Sequence, residues 1–313
     1  MASTAQHLAI AASINARHFK FEGNDLTEFF LGAIACDAPK LKPKNTIDKT
    51  SATQEIFLES KKFPDEMRKA GRNYSHFLPG SIVPENQSKF ISPEITEKYG
   101  YTPVDDRPNA QVDYTQFAPM TALFLDKYAD KMSEPFMLGY LTHLITDELY
   151  FTKLVPEIVE ANQDSIKEYI DNKYGKYGYE KKETLTNAEY LDWSHDALYG
   201  VFDDYNYLSL FETYDIFPDL LNLGNYLEKW EISDRQFKPS MVEDLNDSES
   251  IIAFLKNPRI SHLVCDAKQQ LSDSNIITRQ NLSFKGLWPY NLYLDLTDWV
   301  DDEINNYLTK KVK

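Results

Sequence analysis

The sequence predicts an all-α protein, a multi-helix bundle, and three observations carry that expectation. The run from Phe136 to Val155 is apolar almost all round, with Phe136, Leu138, Leu141, Leu144, Ile145, Leu149, Phe151 and Leu154 spread over every face, which is the pattern of a central helix and not of an amphipathic surface one. Ser3-Thr4-Ala5-Gln6 and Thr186-Asn187-Ala188-Glu189 have the S/T-x-x-E/Q form of a capping box ahead of helically spaced segments. No stretch alternates apolar and polar residues for long enough to build a sheet, and neither an internal repeat nor a low-complexity segment is present.

Taken in order, the first helix follows its capping box from His7 to about Ala16, with Leu8, Ile10, Ala11 and Ile14 as helix formers and His7 in the first turns. Asn24 or Asp25 is positioned to cap a second helix through Leu26, Phe29, Phe30 and Ile34, which Pro39 stops near Cys36-Asp37-Ala38. Residues 40 to 57 read as loop, a short helix is expected over Asp65 to Gly71, and Tyr74-Ser75-His76-Phe77-Leu78 then leads into a stretch with prolines at 79, 84, 93, 103 and 108, the mark of a long surface excursion. Helical patterning resumes over Tyr114 to Lys131, where Pro119 is tolerable only near a first turn. Ser133-Glu134-Pro135 starts the central helix, and Pro156 is expected to break or kink it, with a second piece running to about Tyr174. The glycine- and lysine-rich stretch Lys173 to Lys182 reads as a hinge. Beyond it a helix carries His195, Tyr199, Phe202 and Asn206 on one face, and 247 to 256 and 291 to 309 are helical in pattern. The organisation expected is a metal-binding helical core over residues 1–175, with 176–313 packed on it, possible also as one continuous domain.

With 313 residues, 42% of them hydrophobic and 13% aromatic, the chain has ample material for a core. No window of 18 apolar residues signals a membrane-spanning helix, and Met1 to Lys20 lacks the basic start and apolar centre of a secretion signal, so a cytoplasmic protein is expected. Cys36 and Cys265 form no C-x-x-C pair and fit a reducing compartment. The formal net charge of -16 makes nonspecific nucleic-acid binding an unsuitable role. Phosphate esters stay open as substrates, because a bound cation reverses the local field.

Inside the central helix, His143 and Asp147 are four residues apart, hence about 40° apart around the axis and about 6 Å along it, aimed into one volume. A buried carboxylate left alone costs several kcal/mol or takes up a proton, and a divalent cation keeps it ionised; the plainer alternative is a His to Asp hydrogen bond in the core. Spacing does not decide between them, since three of the six His have an acid at that offset: His18 with Glu22, His143 with Asp147 and His262 with Asp266.

Four separated segments do more: Gln6-His7-Leu8-Ala9-Ile10, Gly32-Ala33-Ile34-Ala35-Cys36-Asp37, Ser75-His76-Phe77 and Gly139-Tyr140-Leu141-Thr142-His143-Leu144-Ile145-Thr146-Asp147. In that order they resemble the bacterial zinc-dependent phospholipases C, relatives of the fungal zinc single-strand nucleases, and especially an intracellular branch of that family, over roughly residues 3 to 155. The resemblance implies an all-α fold around a zinc site with His7, Asp37, His76, His143 and Asp147 as ligands, Asp147 matching the aspartate that bridges two metals in the family. These are donors suited to zinc. The sequence also departs from the family: Cys36 stands where many members have proline, the chain begins Met1-Ala2 and not with a ligating tryptophan, and Glu148 to Asn187 contains no His. One or two zinc ions are therefore expected in place of three. His195, with Asp192, Tyr199, Asn206 and Asp203 nearby on its helix, is the substitute ligand, unless it is a surface His paired with Asp192.

The activity implied is zinc-dependent hydrolysis of a phosphate ester, a small phosphodiester or phosphomonoester, by metal-activated water, with Asp37 as general base and catalytic residue. Tyr140 and Tyr150, near His143, either shape the pocket or belong to the core. Two rivals stand beside it. His195-Asp196 matches the dipeptide of phosphohydrolases built on an H, HD, D metal site, though no His lies in the 50 residues before it. A structural metal in a noncatalytic cytosolic protein that binds a partner predicts closed coordination.

Overall fold

In the computed structural model, which describes residues 4–37, 75–78, 118–177 and 292–311, every regular element among the described residues is helical. The order is α1 (Thr4–Ile14), continued by a π-helical turn (Asn15–Phe19); α2 (Gly23–Ala35); α3 (Thr121–Lys127) with a 3-10 turn (Ala129–Lys131); α4 (Pro135–Leu149), continued by a second π-helical turn (Tyr150–Leu154); α5 (Val155–Ala161); α6 (Gln163–Tyr177); and α7 (Leu292–Lys311). The all-α reading therefore holds for the described residues. No helix among them is long and apolar enough to cross a membrane.

The central helix is α4. Every residue from Phe136 to Asp147 is buried, as an all-round apolar pattern requires, and Pro135 occupies its first turn, where the missing N–H costs nothing. Against it lies α2, drawn in by two glycines. A Cβ on Gly32 would fall 1.9 Å from the Phe136 carbonyl oxygen, and one on Gly139 would fall 1.9 Å from that of Phe29. Backbone thus meets backbone at this crossing, a separation that any side chain would forbid. The third inner helix, α1, buries Leu8, Ala9, Ile10, Ala11 and Ile14 completely and contacts both α2 and α4.

Several boundaries differ from the sequence expectation for identifiable reasons. The first α-helix ends at Ile14, not near Ala16, because the Asn15 side chain binds both backbone groups of Phe21, accepting from its N–H at 2.8 Å and donating to its carbonyl at 3.2 Å; such local bonds compete with the helix ladder. Neither Asn24 nor Asp25 caps α2. The helix starts at Gly23, whose φ of 55° suits glycine, after an extended Glu22 and with no side-chain cap. Pro119 precedes α3 by two residues, the Met120 amide being engaged by the Phe77 carbonyl at 2.9 Å. Pro156 causes no break: the wide turn before it, in which the Val155 N–H reaches back to the Tyr150 carbonyl, adjusts the ladder so that the proline enters the first turn of α5. The hinge expected from Lys173 does not begin there, since α6 continues to Tyr177.

α7 packs on α4, α1 and the turn Tyr150–Leu154 through Leu296, Val300 and Ile304, a fully buried stripe at four-residue spacing. The expected division at 175/176 falls within α6. The loops over 40–57 and 79–109, the helices over 65–71 and 247–256, the end of the hinge, the Thr186 capping box, His195 and its neighbours, His262, Asp266 and Cys265 lie outside the described residues.

Candidate metal centre

Four chain segments deliver five polar side chains to one point in the core. His7 comes from α1, Asp37 from just past the end of α2, His76 from the segment 75–78, and His143 and Asp147 from α4, one turn apart. All five are at least 96% buried, from His7, His76, His143 and Asp147 at 1% exposure to Asp37 at 4%. One ligand atom each from His7, His143 and Asp147 lies within 4.8 Å of the others, and so do atoms from Asp37, His76 and His143.

The contacts run through the Nε2 atoms. His7 Nε2 is 3.4 Å from Asp147 Oδ1. His76 Nε2 is 3.1 Å from Asp37 Oδ1 and 3.7 Å from Asp147 Oδ2. His143 Nε2 is 3.7 Å from Asp147 Oδ2, 3.9 Å from Asp37 Oδ1 and 3.4 Å from His76 Nε2. Two donors on one tetrahedral zinc, each at roughly 2.1 Å, stand about 3.4 Å apart, so these separations are compatible with a shared ion. The His7 ring lies flat on that of His143, centroids 3.8 Å apart and planes 11° from parallel.

His143 Nδ1 is 2.7 Å from the Ala33 carbonyl oxygen, which only accepts, so Nδ1 carries the hydrogen. Burial, reinforced by neighbouring His7, holds the His143 imidazole well below its usual pKa against the opposing pull of Asp37 and Asp147; the ring is neutral and Nε2 presents a lone pair. At His76 the reasoning runs through Ser75, whose hydroxyl donates to the Cys36 carbonyl at 2.8 Å. Its one hydrogen spent, the Ser75 oxygen accepts from His76 Nδ1 at 3.0 Å. His76 Nε2 then also presents a lone pair when the ring is neutral. With both rings neutral and protonated on Nδ1, lone pairs would face one another and the carboxylates at 3.1 to 3.9 Å, an arrangement that a cation among them relieves, as does a proton on His76 Nε2 shared with Asp37. His7 adds to the case, for among the described residues neither of its ring nitrogens has a hydrogen-bond partner. The donor set therefore fits a metal ion.

Local structure explains why the side chains arrive as they do. The glycine crossing places the Ala33 carbonyl in reach of His143, and Gly139 lies one turn before His143 on the same face of α4. Segment 75–78 is held at both ends. The Tyr140 hydroxyl donates to the Ser75 carbonyl, and burial with Cys36 nearby keeps that hydroxyl protonated, its pKa far above the usual value. Phe77 takes the left-handed φ of 53°, costly for a side chain of its size, and wedges edge-on against Phe124 and Tyr128 with centroids at 5.2 and 6.3 Å.

The structure thus brings together His7, Asp37, His76, His143 and Asp147; His195 lies outside the described residues. Tyr140 is a core residue stacked on Phe124 that also props Ser75, while burial, then the Asp147 carboxylate, pushes the Tyr150 hydroxyl upward in pKa. Cys36 is a buried residue beside Tyr140 and outside both ligand groups. His18 pairs not with Glu22 but with Asp301 of α7 at 2.8 Å. Sequence reasoning missed Ser75, the Ala33 carbonyl and the paired glycines; the glycines alone left a signal, each standing close before a ligand or its partner.

Comparison with known protein families, with curated proteins and with solved structures finds no match. Fold and site by themselves define an all-α protein with a buried His/Asp cluster of metal-binding geometry.

Proposed function

We propose that this protein is a metal-dependent phosphoric ester hydrolase of the zinc-dependent phospholipase C type, holding one or two zinc ions through His7, Asp37, His76, His143 and Asp147 and acting on a small phosphodiester or phosphomonoester. The observation that carries the reading is the convergence of buried Nε2 atoms on two carboxylates. Zinc in such a site supplies Lewis acidity, lowering the pKa of a coordinated water and neutralising phosphate charge. The protein's own groups do the rest. The Ala33 carbonyl fixes which nitrogen His143 presents. Burial excludes bulk water and keeps His143 neutral. Asp37, with 6% of its side chain exposed against 1% or less for the others, is the ligand nearest solvent and the group suited to accept a proton from an attacking water.

The same burial favours a second reading, a closed structural metal in a partner-binding protein. Metal analysis of full-length protein purified without a metal-binding tag, followed by assay on a small chromogenic phosphodiester, separates the possibilities. Near-stoichiometric zinc in the parent and its loss in His143→Ala are expected, with hydrolysis reduced at least about a hundredfold in Asp37→Asn, the scale of lost general-base catalysis. Zinc without hydrolysis selects the structural reading. Unchanged zinc in His143→Ala removes the site.

A further inference from the structure

Resting on the metal-centre reading, we propose that Ser75 is a positioning residue that selects the tautomer of His76, holding the ring proton on Nδ1 so that Nε2 stays available to a cation. His76 lies between two competing acceptors. Asp37 Oδ1, 3.1 Å from Nε2, attracts a proton to that nitrogen, which would convert a metal donor into one arm of a His to Asp hydrogen bond. Ser75 Oγ, 3.0 Å from Nδ1, attracts it to the other. The hydroxyl is able to accept only because its own hydrogen is committed to the Cys36 carbonyl at 2.8 Å.

Everything around Ser75 serves that orientation. The residue is 1% exposed, so no bulk water replaces its hydroxyl. Its carbonyl is tied by Tyr140, on the helix that also carries His143 and Asp147, and the carbonyl to which it donates belongs to the residue before Asp37. One hydroxyl therefore joins the backbone beside one ligand to the ring of another. Outer hydrogen bonds of this kind determine which nitrogen an imidazole offers.

The test uses full-length protein with selectively 15N-labelled histidine, stripped of metal, at pH 8. Long-range proton–nitrogen correlations report the His76 tautomer directly. The parent is expected to show the Nδ1-protonated form and Ser75→Ala the Nε2-protonated form, with Ser75→Thr, which keeps the hydroxyl, resembling the parent. Cobalt(II) alone, titrated into the same proteins and followed by its visible absorption, should bind Ser75→Ala roughly 10- to 100-fold more weakly than the parent, as loss of an outer-shell partner does, with Ser75→Thr restoring affinity. An Nε2-protonated His76 in the parent overturns the inference even if Ser75→Ala fails to fold, as does equal cobalt affinity of parent and Ser75→Ala. A parent that takes up no cobalt overturns the metal reading instead, and the tautomer measurement still judges Ser75.

Discussion

The N-terminal helical stretch meets two His–Asp clusters, one through α1 and one through the turn that follows it, and they are opposites. Around His7 the imidazoles and carboxylates are buried, with Nε2 atoms facing one another. Around His18 the groups are partly exposed: His18 Nε2 lies 2.8 Å from Asp301 Oδ1, and Arg17 Nη1 lies 3.3 Å from Asp298 and 3.4 Å from Asp301. In the outer cluster a guanidinium that only donates meets carboxylates that only accept, and solvent reaches both. Such a cluster ties α7 to the N-terminal turn and needs no ion. What separates a candidate metal centre from a surface ion-pair cluster is thus the degree of burial and the convergence of Nε2 atoms, not residue types or offsets.

Chelation should divide the clusters most sharply. A metal bound at a thousandfold its dissociation constant stabilises the folded state by about 4 kcal/mol, so stripping zinc from the parent should lower the thermal midpoint by several degrees, and the same fall should occur in Asp301→Ala. A midpoint indifferent to chelator would place the inner cluster in the same category as the outer. A smaller effect is expected from Gly32→Ala, whose Cβ would sit 1.9 Å from the Phe136 carbonyl oxygen. Forcing α2 and α4 apart should cost about 3 kcal/mol in urea unfolding and lower zinc content, because the Ala33 carbonyl moves off His143. Full zinc retention in that variant would show that the crossing does not set the site. Smallest is His18→Ala: roughly 1 kcal/mol, the scale of a partly exposed ion pair, with zinc content unchanged. Metal loss on that substitution would mean the clusters are coupled through α1.

The sequence made the interior of this comparison legible and its exterior hardly at all. Apolar residues on every face of Phe136 to Val155 announced α4 as the central helix because burial on all sides leaves no position for a polar stripe. The five side chains of the inner cluster were singled out together because four short segments resembled a family pattern. No spacing rule would have joined His76 to Asp37 and His143, which are 39 and 67 residues away. His18 was set against Glu22 by offset, yet its acid comes from 283 residues further along, a pairing that only tertiary packing creates. Ser75 was quoted as part of a motif without its role being visible, since that role depends on where a single hydroxyl hydrogen points. The ends of α1 and α2 were misplaced because Asn15 and the positive φ of Gly23 act through local geometry that propensity does not encode.

The bond between His143 and the Ala33 carbonyl spans 110 residues, and that span bears on how the molecule assembles. Closing so long a stretch of chain is entropically slow, and no local nucleus contains more than two of the five clustered side chains. The cluster is therefore completed late in folding, so if it holds a cation as proposed, the rate at which refolding chains acquire tight cation uptake should trail the appearance of helical circular dichroism.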